Sequence, residues 1–215
     1  MTDKIKTHRD GASLAITIDR ADKANAISKA MVLKLKAIFL SCANDEELRV
    51  VTLTGAGKRT FCGGADLSQL TEMTGNPEEA VWEEIADALS QVPALTIAKI
   101  NGACIGGGLS LALGCDIRVA VSDAVFGYPA LRNGIFPSTQ DCLRLRELIG
   151  PGRMSSILMG ASRISAKQAA EWGLVEHVVD RNGLEPTVST LSEAALSAPR
   201  HNLTTMKNLT RGRRN

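Results

Sequence analysis

The chain has 215 residues, enough for one domain with a substantial core, and it is 44% hydrophobic and 22% charged, near the soluble globular average. A net charge of +2 argues against nucleic acid or an anionic membrane as partner, and 3% aromatic residues argue against a large aromatic binding platform. The five cysteines, at 42, 62, 104, 115 and 142, include no CxxC pair, and the three histidines lie far from them in sequence. That pattern supports neither a metal site nor a disulfide framework, and it fits a reducing compartment. The start, Met1-Thr2-Asp3-Lys4, is polar, and no apolar run reaches the length of a membrane span. The expectation is a soluble cytoplasmic protein.

Along the chain, Ala12 to Asp19 alternates apolar and polar residues as a half-buried strand does. Ser28 is placed to cap a helix running to about Ala43, with Met31, Leu35, Ile38 and Phe39 on one stripe. Val50 to Thr54 reads as a strand closed by Gly55-Ala56-Gly57. Asn76-Pro77-Glu78-Glu79 carries an N-cap, a proline at the first helical position and first-turn acids, and predicts a helix to about Val92. Leu95 to Ile100 is a buried strand, and Leu109 to Leu113 begins a short apolar helix. Asp116 to Val121, Ala124 to Tyr128 and Val175 to Val179 read as further strands. Helices are predicted near 138–148, 152–159, 165–172 and 185–197, and the basic end, Arg211-Gly212-Arg213-Arg214, as a frayed, solvated tail. Strands alternate with helices, so the fold class is α/β, without a strict internal repeat or a low-complexity linker.

Two glycine loops stand out. Cys62-Gly63-Gly64-Ala65-Asp66 follows a strand closely, and Gly106-Gly107-Gly108-Leu109 leads into the short apolar helix. Glycine lets backbone come close to a ligand, and the first turn of a helix leaves N–H groups unpaired. Side by side, two such loops would form an oxyanion hole for a carbonyl oxygen that gains charge. Taken singly, each loop is better read as a tight turn. Neither matches a dinucleotide-binding or phosphate-binding loop.

Together the loops carry a resemblance. Phe61-Cys62-Gly63-Gly64-Ala65-Asp66-Leu67 is similar to the F-C-x-G-x-D-L segment of the enoyl-CoA hydratase/isomerase (crotonase) family, and Asn101 to Gly108 to its N-G-x-x-x-G-G-G segment. Lys23-Ala24-Asn25-Ala26, Cys115-Asp116-Ile117-Arg118, Phe126-Gly127-Tyr128-Pro129, Ser165 to Ala169 and Trp172 to Val175 agree in order, so the likeness runs from about residue 12 to about 180. The resemblance implies a spiral of ββα units over residues 1–180 and a shortened helical C-terminal segment over 181–215, with assembly as a homotrimer or a dimer of trimers. It implies an acyl-CoA substrate and no cofactor beyond the coenzyme A that the substrate carries. Ala65 and Gly107 would give the two oxyanion-hole amides. Lys23, Ala24 and Ala26 would lie along the CoA, with Asp66 and Leu67 at its adenine end through their backbone.

The chain departs from the family where hydratases carry two glutamates, since Ser110 and Ala130 occupy those positions. Water addition needs a base for the water and an acid for the α-carbon, which a hydroxyl and a methyl group do not supply. Asp141, on the loop and helix start that follow, and Glu72, after the first glycine loop, are the substitute acid/base candidates. Each also has a plain reading, as a first-turn helix acid and a solvated loop residue. Ser110 is in addition a candidate nucleophile for thioester hydrolysis, although none of His8, His177 and His201 falls in a segment expected to border it. Phe126, Phe136, Trp82 and Met73 are candidates for lining an acyl pocket, and each reads equally well as a core residue. Three functions follow in order: an acyl-CoA enzyme working through an enolate with non-standard acid/base groups, a non-catalytic acyl-CoA binder, and a Ser110 thioester hydrolase.

Overall fold

The computed structural model describes residues 4–70, 85–134 and 136–212. Strand β1 (Ile5–Asp10) turns back through Gly11 onto β2 (Ser13–Ile18), antiparallel and in register from Ile5 opposite Ile18 to Asp10 opposite Ser13. Only Ile5 of β1 is buried, so the strand shows none of the alternation that betrays β2. Its charged face suits a sheet edge, because Lys6 and Arg9 discourage pairing with a further strand.

From β3 (Val50–Gly55) the chain repeats one move. A long strand joins the large sheet, the backbone turns a corner, and a short strand joins a second sheet. β3 is followed by β4 (Thr60–Cys62), β5 (Leu95–Ile100) by β6 (Ala103–Ile105), and β7 (Ile117–Val121) by β8 (Val125–Gly127). The large sheet has the order β1-β2-β3-β5-β7-β10, with β10 at His177–Val179, and is parallel from β2 onward. The small sheet runs β4-β6-β8-β9, with β9 at Ile164–Ser165 antiparallel at its edge. Both sheets therefore grow in the same direction as the chain advances, which is the expected spiral of ββα units. The repeat is one of path, not of residues, and for that reason it leaves no periodic trace in the sequence.

Helices fill the turns of the spiral. α1 (Lys29–Ala43) begins where Ser28 accepts from the Met31 N–H, and it buries Met31, Val32, Leu35, Phe39 and Cys42. After α2 (Leu67–Leu70), α3 covers residues 85–91 and is the described end of the helix expected from Asn76; that start, with Glu72, Met73 and Trp82, lies outside the described residues. α4 (Gly107–Gly114) is buried from Gly108 onward. α5 (Ala130–Asn133) and α6 (Thr139–Ile149) lead to α7 (Pro151–Leu158) and α8 (Ala166–Trp172), the last opened by a reciprocal Ser165/Gln168 capping box. Phe61, Phe126 and Leu109 are fully buried in the core, which assigns Phe126 to packing. Phe136 is exposed.

α9 (Leu184–Ser197) lies against β3, β5 and β7. α10 (Arg200–Thr210) follows, and the sequence pattern missed it because Lys207 is its only buried residue. Charge holds it in place. Lys207 Nζ donates to Ala94 O at 2.7 Å and pairs with Asp116 at 2.8 Å. Arg211 donates from Nε and Nη2 to Asp116 Oδ1, and onward to the carbonyls of Ser90 and Gly114. The start of the expected solvated tail is thus pinned to the mouth of β7, a correction that polarity alone could not foresee. No helix among the described residues is long and apolar enough to cross a membrane.

Candidate functional site

The two glycine loops touch. Gly64 has φ +100°, and a Cβ built on it would stand 3.1 Å from Ile105 O and 3.3 Å from Gly107 N. A Cβ on Gly108 would fall 2.3 Å from Cys62 O. The start of α4 therefore rests directly on the end of β4, an approach that only glycine permits. This is the juxtaposition that two separate glycine motifs could not establish in the linear sequence.

Backbone pairing decides which N–H groups remain free. Ala65 forms an isolated parallel bridge with Ile27: Ile27 N donates to Gly64 O at 2.8 Å, and Asp66 N to Ile27 O at 2.9 Å. Such a bridge uses the groups flanking Ala65 and turns its own N–H the other way. Gly106 N donates to Gly127 O at 2.9 Å, which leaves Gly107 as the first residue of α4. Among the described residues, neither the Ala65 N–H nor the Gly107 N–H has a hydrogen-bond partner. Both residues are half-buried.

The Lys23 to Ala26 segment borders the first loop. Ala24 O accepts from Gly63 N at 2.9 Å, and Lys23 and Ala24 are exposed. Ala24 and Asn25 hold left-handed backbone, φ 51° and 52°. Asn25 stabilises that strained turn from inside. Fully buried, it accepts from Arg20 N at 3.0 Å and donates to Ala56 O at 3.0 Å and Thr60 O at 2.7 Å. Its role was missed in the sequence, where only a polar residue inside a matched segment marked it. Asp66 spends its side chain on Ser68, which it caps, and on Arg20 at 2.6 Å; those hydrogen bonds hold its carboxyl below the usual range. With its N–H taken by Ile27, Asp66 has only its carbonyl left for an adenine contact, and Leu67 beside it is exposed.

Beyond the second glycine loop, Ser110 and Ala130, at the positions of the family's glutamates, are both buried. Ser110 Oγ lies 3.4 Å from the Tyr128 hydroxyl, and α4 packs against α6. That packing brings in Asp141. Ser138 caps α6 by accepting from Asp141 N at 3.1 Å, so Asp141 is indeed a first-turn acid. It is also 2% exposed, and its Oδ1 is buried without a hydrogen-bond partner among the described residues. Burial pushes its carboxyl above the usual range, against the pull of the Ser110 hydroxyl, the Arg144 guanidinium and the Ser138 hydroxyl. The plain reading of Asp141 as a first-turn acid holds, and its burial sets it apart from an exposed one. The three histidines, on β1, β10 and α10, are exposed, and none of them partners Ser110.

Comparisons with known proteins bear on the family and the fold. The family model for enoyl-CoA hydratase/isomerase matches residues 9–214. YngF of Bacillus subtilis, which bears the family's name, is 39% identical over 189 residues, 85% of this chain and 71% of its own length. The carnitinyl-CoA dehydratase of Citrobacter koseri is 35% identical over 208 residues, 93% of this chain and 77% of its own. The crystal structure of the enoyl-CoA hydratase of Bacillus anthracis superposes with a TM-score of 0.88 at 32% identity, covering 96% of this chain and 81% of that one. The chain belongs to the enoyl-CoA hydratase/isomerase family.

Proposed function

We propose that this protein binds an acyl-CoA, holds the thioester oxygen between the Ala65 and Gly107 N–H groups, and moves a proton at the α-carbon with Asp141. One observation carries the reading: two half-buried N–H donors on two touching loops, both without a partner among the described residues. Such donors gain most when charge develops on the oxygen, as in a thioester enolate. Lys23, Ala24, Ala26, Asp66 and Leu67 form the rim along which the CoA lies. A buried carboxyl kept above its ordinary range is suited to taking and returning a proton near neutrality. The reading requires no cofactor beyond the substrate's own CoA, and includes assembly into a trimer or dimer of trimers and a cytoplasmic location.

The test is incubation with butyryl-CoA in heavy water, with α-deuteration followed by NMR and binding by calorimetry. Exchange at the α-carbon is expected. Binding without exchange would leave an acyl-CoA binder, and release of free thiol that depends on Ser110 would point to hydrolysis. Gly64→Ala forces a Cβ toward Gly107 N and is expected to lower exchange about 10²-fold, the scale of one lost oxyanion donor. Restoring the hydratase carboxylates with Ser110→Glu and Ala130→Glu would set a second carboxylate beside buried Asp141. Hydration of crotonyl-CoA is therefore expected from those two changes only when Asp141→Asn is added, measured by loss of the enoyl-thioester absorbance.

A further inference from the structure

Three buried groups lie beside one another behind the second glycine loop. Ser110 is 2% exposed, Asp141 2% and Tyr128 7%, and the Ser110 and Tyr128 hydroxyl oxygens stand 3.4 Å apart. That spacing is longer than a formed O–H···O bond, as is common in catalytic contacts that tighten on a ligand. Asp141 Oδ1, buried and without a hydrogen-bond partner among the described residues, is the second observation. A carboxylate oxygen left so is costly unless a ligand or a closing contact completes it. Tyr128 is the only tyrosine of the chain, and the acid/base reading of Asp141 does not by itself use it.

We propose that Tyr128 is a positioning residue: its hydroxyl donates to Ser110 Oγ, and this aims the Ser110 proton at Asp141, making a buried Tyr128–Ser110–Asp141 chain that tightens when an acyl group is bound. The proposal rests on the reading of Asp141 as the acid/base. No bond to carbon is made by Ser110 or Tyr128; each keeps its own proton and shares it along the chain. When Asp141 is ionised both hydrogen bonds strengthen, and when it is protonated both relax. Other charged and titratable groups face Asp141 as well. Arg144 approaches Oδ1 to 3.6 Å from the same helix, Asp87 comes from α3, and Cys142 is adjacent on α6. Burial pushes the Tyr128 phenol up to about 12, so it stays protonated and able to donate across the working range.

A single tyrosine gives a single Cζ resonance, which makes the chain observable without any turnover. With ¹³Cζ-labelled tyrosine, the resonance is expected to titrate with a midpoint above the ordinary carboxylate range. Asp141→Asn is expected to abolish that titration. Ser110→Ala, which keeps the carboxylate and removes the link, is expected to flatten it. A Cζ titration unchanged in Ser110→Ala would overturn the proposal. In the exchange assay with butyryl-CoA, Tyr128→Phe is expected to lower kcat about tenfold, the worth of one hydrogen bond, with KM unchanged. Its acid limb moves to higher pH, because the Ser110 hydroxyl, no longer aimed by Tyr128, donates less well to the ionised form of Asp141. An unmoved acid limb would reduce Tyr128 to packing. Should the wild-type protein exchange nothing while the Cζ titration persists as described, the chain of hydrogen bonds stands and the α-proton reading falls.

Discussion

Asp141→Asn is expected to lower α-proton exchange by about 10²–10⁴-fold, the usual scale of a positioned acid/base, and at the same time to stabilise the fold near neutral pH. The two effects share one cause. Asp141 is buried, and its Oδ1 has no hydrogen bond among the described residues and only the Arg144 guanidinium at 3.6 Å to offset its charge, whereas an amide in its place carries no charge to desolvate. The sign follows from the raised carboxyl. Between the ordinary carboxylate pKa and the higher folded value, the folded state binds the extra proton, so stability falls as pH rises through that window. The variant removes this decline. Its advantage, about 1–3 kcal/mol at pH 7 for relieving a buried unsatisfied group, should vanish below about pH 4. Thermal unfolding at pH 4 and pH 7 beside the exchange assay checks both halves. A variant that loses activity and also stability would mean that the carboxylate is structural.

Asp116→Asn is expected to be the most damaging single polar change outside the site. Asp116 accepts from Thr96 N and Thr96 Oγ1 at 2.8 Å each, and pairs with Lys207 at 2.8 Å and Arg211 at 2.6 Å. Burial alone would raise its carboxyl, but the two cations outweigh burial and hold it low. The amide leaves Lys207 and Arg211 facing each other without a counter-charge in a mostly buried place, a loss of about 3–5 kcal/mol. For a chain of this size that is about 10 °C in Tm. A depressed folded pKa contributes stability that is present above the ordinary carboxylate value and lost as pH falls through the folded one. The wild type should therefore lose stability on acidification where Asp116→Asn does not. Proteolysis confined to α9 and α10 in the variant would show that the clamp is what docks them.

The parts of the molecule legible in the sequence are those written in local pattern. Ser28 announces α1, and the Leu95 to Ile100 run announces a central strand. β1 stayed hidden because an exposed edge strand needs no apolar face, and β4 and β6 because three residues next to glycine turns give no period. α10 stayed hidden because its anchor is the charge of Asp116, some ninety residues away in sequence. The site divides the same way. Its glycine loops are visible as residues, yet the contact between Gly64 and Gly107 exists only in three dimensions. Asp141 reads as an ordinary first-turn acid until the packing of α4 on α6 buries it beside Ser110. Asn25 and Tyr128 lie within segments that match the family, but what they do depends on Ala56, Thr60 and Ser110, which the chain brings to them by folding.

The central claim is that the Ala65 and Gly107 N–H groups hold a thioester oxygen, and the carbonyl stretch of bound ligand reads it directly. With butyryl-CoA labelled with ¹³C at the thioester carbonyl, isotope-edited infrared difference spectra should show the stretch moved to lower frequency on binding, since two donors polarise the bond. In Gly64→Ala, with Gly107 N displaced, the shift should shrink or disappear. A carbonyl band that stays at its solution frequency in a wild-type complex known to be saturated would contradict the account.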